Sequence, residues 1–203
     1  MKTSVKSARR LFELGGVVAA VVLIAFGIGA IVIGTNGLNT VNSSLAQQQI
    51  TGSPDMTPKA IAAAGQKAGL GKNVGYPTCT VAGQVVNNGT KARCFAGYMR
   101  IHTLEATGGQ NYSAMGMYLN AAGKPTSDKT AAAIDPTTGK PMANHARDIW
   151  VTETALTTAL NTSYMAQQTA TFGIVMGVAL LLVGLGFSVL VVGGSLRRDP
   201  AAS

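Results

Sequence analysis

The chain contains two histidines, and each has a carboxylate three positions on: His102 with Glu105, and His145 with Asp148. On a helix, positions i and i+3 share a face. Each pair can therefore offer one nitrogen and one oxygen to a cation, and the two pairs together would make a four-ligand site. The plainer use is a surface or capping contact. Asp148 suits it, because an acidic residue near a helix start meets the positive end of the dipole. His102 falls in a segment that reads as a strand, where i+3 points elsewhere. The expectation is no metal and no cofactor, with His102, Glu105, His145 and Asp148 as the candidates if a metal binds at all.

Other chemistry finds little footing. Serine and threonine are abundant, but no Gly-x-Ser-x-Gly elbow is present to expose a nucleophile. Lys124, in Gly123-Lys124-Pro125, lacks the upstream glycine of a phosphate loop. The reading is not an enzyme. Cys79 and Cys94 are the only cysteines. An even pair in an oxidising compartment forms a disulfide, and a disulfide is expected here.

The elements that position these residues begin with two apolar runs. Leu14 to Gly34 is 21 residues without a charge, and Phe172 to Gly194 is 23. At about 1.5 Å per residue, each spans a hydrocarbon core of roughly 30 Å as a helix. Lys2, Lys6, Arg9 and Arg10 precede the first run, and Arg197 and Arg198 follow the second. Between the runs, the nearest basic residues are Lys59 and Arg147, more than twenty positions from either run. Basic residues close to a span hold that end in the cytoplasm. The rule gives a multi-pass plasma-membrane protein: cytoplasmic tail 1–13, transmembrane helix 14–35, extracytoplasmic domain 36–170, transmembrane helix 171–194, cytoplasmic tail 195–203. A cleaved signal peptide is the rival reading of the first run, but the run is long for an h-region, and Ser44-Leu45-Ala46 lies well past its end. The net charge of +8 divides evenly between the tails and the rest, without a basic run between the spans, so no nucleic acid is expected.

The fold class expected is a mainly α membrane protein. Two transmembrane helices form a hairpin and extend outward as a stalk, with a small α domain carrying a β-hairpin. Leu38, Val41, Leu45 and Gln48 continue a heptad-type seam beyond the first span, and Ile149, Leu156, Ala159 and Leu160 line one side of a run before the second. Thr51 to Pro54 reads as a linker. Thr57-Pro58 reads as the N-cap and first residue of a helix to about Leu70. Thr78 to Val86 and Thr90 to His102 read as strands joined through Asn87-Asn88-Gly89. A two-residue turn there would place Cys94 opposite Gly83, not Cys79, which conflicts with a simple cross-strand disulfide. Gln110 to Ala122 and Ser127 to Ile134 read as helices.

Small residues mark packing faces in the spans: Gly16, Ala20, Ala30 and Gly34 in the first, and Gly173, Gly177 and Gly184 in the second. They serve either the two spans against each other or docking to another membrane protein or another copy. The spans carry no ionisable residue, which argues against a solo transporter. The functional expectation is a non-enzymatic cell-envelope protein of bacterial appearance, an accessory or scaffold subunit that presents its outer domain to a partner. A membrane-anchored sensor or ligand-binding module is the alternative. A membrane-anchored metal-dependent hydrolase and an oligomeric pore rank below it. The tails are too short for an output domain, so a sensor would need a partner.

Overall fold

The computed structural model describes residues 2–193, with side chains from residue 11 onward. It is mostly helical, with two long apolar helices and one small two-stranded sheet. The helices are α1 (Lys2–Gln47), α2 (Pro58–Lys67), α3 (Gly89–Ala106) and α4 (Ala146–Val192). The strands are β1 (Tyr118–Leu119) and β2 (Pro125–Thr126), paired antiparallel. The chain divides into two compact units: residues 1–40 with 166–203, and residues 41–165.

The first unit is built from α1 and α4, and both are long and apolar enough to cross a membrane. Only 17 % and 11 % of their most apolar windows is buried, whereas the core helix of a soluble protein is mostly covered. Buried positions fall at Gly16, Ala20, Gly27 and Gly34 on α1, and at Gly177 and Gly184 on α4. Steps of four and seven keep one narrow stripe of each helix against its neighbour. Along that stripe the backbones nearly touch. A Cβ on Gly27 would come within 2.8 Å of the Gly177 carbonyl oxygen, and one on Gly34 within 2.7 Å of that of Ala170. A Cβ on Gly184 would meet the Ala20 carbonyl oxygen at 3.2 Å. Contacts that descend one helix as they ascend the other make the pair antiparallel. The remaining faces expose Phe12, Phe26, Ile33, Phe172, Leu182 and Val189.

In the second unit, α1 ends where Gln49 adopts a left-handed backbone, φ 51°. The next residues are not a free linker as expected. Thr51 and Gly52 bridge to Val85 and Ala82, and Val86 N–H donates to the Ile50 carbonyl at 2.8 Å. Gly52 is required there, since a Cβ would sit 2.0 Å from the Val81 carbonyl oxygen. α2 starts as expected: the Thr57 hydroxyl accepts from Ala60 N–H at 3.2 Å, and Pro58 follows the cap.

The expected hairpin is corrected. Gly89 to Ala106 is a helix, not a strand, and the segment 78–86 makes only isolated bridges. Asn88 is the N-cap of α3, its Oδ1 accepting from Lys91 N–H at 2.9 Å. The cause of the misreading is physical. Two clusters bury α3 on two faces: Cys94, Tyr98, Ile101 and Leu104 on one, Ala92 and Ala96 on the other. Each face has helical spacing, but their sum buries residues 92, 94, 96 and 98, which imitates the alternation of a strand.

The helices expected over Gln110–Ala122 and Ser127–Ile134 are also absent. Tyr112–Ala114 is a short 3₁₀ turn, followed by β1. Residues 127–134 are irregular, held by bridges from Ala132 to Asn120 and from Ile134 to Pro141. Here side chains compete with the helix for backbone donors. Asn111 accepts from Ala114 N–H, Asp128 from Thr130 N–H, and Asp135 from Thr137 N–H. Asn144 ties this region to the start of α4, donating to the Gly116 carbonyl and accepting from Ala146 N–H.

Candidate functional site

The disulfide Cys79–Cys94 is formed, with an S–S distance of 2.06 Å and Cα atoms 6.1 Å apart. The register conflict disappears because Cys94 lies on a helix. One turn later, the Tyr98 hydroxyl donates to the Cys79 carbonyl. Tyr98 is fully buried, and burial pushes its hydroxyl pKa upward. The loop before α3 is therefore fastened to one helix face by a covalent bond and a hydrogen bond.

His102 also lies on α3, so Glu105 does share its face. Nδ1 of His102 is 2.8 Å from Glu105 Oε2, and Nε2 is 3.4 Å from Asp55 Oδ2. Asp55 is a partner that spacing alone did not reveal. The two carboxylates lie on opposite sides of the ring, so one cation cannot take both an imidazole nitrogen and the two acids. Ser53 donates its hydroxyl to Asp55 rather than to His102. That hydrogen bond lowers the Asp55 pKa below its ordinary 3.8, against the raising effect of burial, with smaller lowering from its own backbone amide and from His102.

His145 and Asp148 form the other pair, at 2.9 Å, both largely exposed, at the beginning of α4. Among the described residues, no three His, Cys, Asp or Glu side chains gather where they could hold a metal, so the two pairs do not build one site. Trp150 is buried, 4 % exposed, and its indole N–H donates to the Gln110 carbonyl at 2.9 Å. Arg100 stacks on that ring at 5.5 Å, and Arg147 stacks on Tyr112 at 3.9 Å while donating to the Met115 carbonyl. Both cations are thus committed to structure.

A groove lies between α3 and α4 in the second unit. Phe95, Met99 and Thr103 recur every four residues on α3. On α4, Ile149, Glu153, Leu156, Leu160 and Ser163 recur at spacings of three and four. One cavity of about 670 Å³ lies at the Phe95–Leu160 end, where Leu45 and Ile50 close it. A second of about 380 Å³ adjoins it across Met99 and includes Asp148 and Glu153. Glu153 is only 5 % exposed, and its one hydrogen bond is from the Thr154 hydroxyl, a long 3.3 Å. The apolar side of α4 is legible in the spacing of Ile149, Leu156 and Leu160. The signal that was available and missed is Glu153, an acid seven positions before Leu160, hence on the buried side of the helix.

No family model, no curated protein and no solved structure matches this chain.

Proposed function

We propose that this is a two-span membrane protein with both ends in the cytoplasm, and that it acts as a non-enzymatic accessory or scaffold subunit presenting residues 36–170 outside to a partner. Basic residues flank both apolar runs on the tail side, and the disulfide lies between the runs, as suits an oxidising compartment. The observation that carries the presenting role is the apolar surface of the second unit. Met117, Ile134, Val151 and Leu156 are each at least 47 % exposed, and the unit's own two cores leave them uncovered. Affinity purification of the full chain from native membranes in mild detergent should recover a second membrane protein or a further copy in fixed ratio. Recovery of the chain alone, as a monomer, contradicts the proposal.

A ligand-binding role is the second reading, and the α3–α4 groove favours it. It needs no output domain on this chain if the partner carries the signal.

A further inference from the structure

The charges of the second unit are sorted along the chain. From Met56 to Leu104 there is no acidic residue and there are six basic ones: Lys59, Lys67, Lys72, Lys91, Arg93 and Arg100. The two arginines, both exposed on α3, are held in a particular way. Arg93 lies over the Tyr164 ring of α4, its guanidinium carbon 4.8 Å from the centroid, and Arg100 lies over the Trp150 ring at 5.5 Å. Stacking commits one face of a guanidinium to the ring and leaves its N–H edge open to a planar anion. Arg147 also stacks, but spends that edge on the Tyr112 and Met115 carbonyls. Arg93 and Arg100 make no hydrogen bond or ion pair among the described residues. The six acids between the apolar runs have other partners. Asp55 and Glu105 flank His102, Asp148 pairs with His145, and Asp128, Asp135 and Glu153 accept from Thr130, Thr137 and Thr154.

We propose that the edge of α3 and α4 around Arg93 and Arg100 docks an acidic segment of the partner, with one carboxylate received by each stacked guanidinium. This rests on the presenting role proposed above and names the chemistry of the partner. Seven residues separate the arginines on α3, and fourteen separate their rings on α4. Both are near whole numbers of turns, so each pair shares one side of its helix. The rises are about 10 and 21 Å, which spaces the two guanidinium groups by roughly 10–20 Å. An extended chain covers that in about three to six residues. A single small anion does not reach both. Nor do the phosphates of one membrane surface, because the pair is spread along α4 and α4 itself continues into the second apolar run.

The test uses the full chain in phosphatidylcholine nanodiscs, titrated with poly-L-glutamate of about twenty residues. Trp150 is the only tryptophan and carries Arg100 on its ring, so its emission reads this surface and not the basic tails. The expected result is a saturable change in Trp150 emission, with poly-L-lysine giving none. Its half-point should rise at least about threefold between low and moderate salt. Arg93→Gln, whose ring contact is with Tyr164 and not Trp150, should raise the half-point by about threefold or more, and Arg93→Lys by less. Lys124→Gln, Lys129→Gln and Lys140→Gln combined remove more charge from an exposed loop and should shift it by less than about twofold. No saturable change, a half-point unmoved in Arg93→Gln, or equal shifts from Arg93→Gln and the lysine variant each overturns the proposal. So does a lower half-point for dihexanoyl phosphatidylglycerol at equal anion concentration, which would assign the surface to lipid headgroups. Recovery of a partner from native membranes with no response to polyglutamate overturns the acidic segment and leaves the presenting role standing.

Discussion

The two units hold themselves together by opposite means. In the unit formed by residues 1–40 and 166–203, the contact is made by what is missing: Gly27, Gly34, Gly177 and Gly184 bring backbone against backbone. In the unit of residues 41–165, the contact is made by bulk: Tyr98, Ile61, Ile101, Val81 and Val86 are fully buried. Under the proposed topology, the difference follows from solvent. Apolar side chains gain by leaving water, so a unit bathed in water packs its large residues inside. Between helices in lipid that gain vanishes, and close approach through small residues takes its place. The first unit turns its large residues outward, as the proposed lipid surroundings allow.

Mutations should separate these two modes. Tyr98→Ala removes the largest fully buried side chain and the hydrogen bond to Cys79, and should cost about 3–5 kcal/mol in chemical denaturation of the second unit. Breaking the disulfide with Cys79→Ala and Cys94→Ala should cost about 2–4 kcal/mol in the same measurement. Neither change should loosen α1 from α4 at Gly27 and Gly177, which distance measurements between spin labels on the two helices would read. Gly177→Leu should do the reverse. A Cβ there already lies 2.7 Å from the Gly27 carbonyl oxygen, so the helices must separate, while the denaturation of the second unit stays as it was. Equal loss in both units from either kind of change would show that the two modes are not distinct.

Smaller effects test the loops of the second unit. Asp55, Asp128 and Asp135 each have a pKa lowered below 3.8, chiefly by hydrogen bonds from Ser53, Thr130 and Thr137 respectively. A carboxyl with a depressed folded-state pKa stabilises above its unfolded value, and that stabilisation is lost as pH falls through the folded value. Thermal stability of the second unit should therefore decline below about pH 4, and less steeply in Asp55→Asn. An unchanged slope in that variant would remove Asp55 from the account. Least of all, Gln49→Gly should stabilise by about 0.5–1 kcal/mol, because Gln49 holds φ at 51° where glycine pays no steric cost. A loss of stability would mean that the Gln49 side chain contributes more than its backbone costs.

How far the sequence disclosed this molecule depended on how many faces each element buries. α1 and α4 were plain, since charge-free runs of over twenty residues admit no other element. α2 was plain because Thr57 and Pro58 form a local start signal that tertiary contacts did not override. α3 was misread because burial on two faces summed to a strand-like alternation, and because Asn88-Gly89 serves a helix cap as well as a tight turn. Residues 110–134 have helical composition, but Asn111, Asp128 and Asp135 spend their side chains on turns. At the candidate sites, the cysteine pair was legible from count alone. Asp55, 47 positions before His102, was not, since only the fold brings them together.

In the proposed topology residues 36–170 face outside and both ends face the cytoplasm. The direct measurement is labelling of Thr138→Cys and Ser4→Cys variants in intact cells with a membrane-impermeant maleimide. Thr138 lies in an exposed loop of the second unit. With that topology, Thr138→Cys labels in intact cells and Ser4→Cys labels only after permeabilisation. Labelling of Ser4→Cys in intact cells, or protection of Thr138→Cys until the membrane is opened, would contradict it.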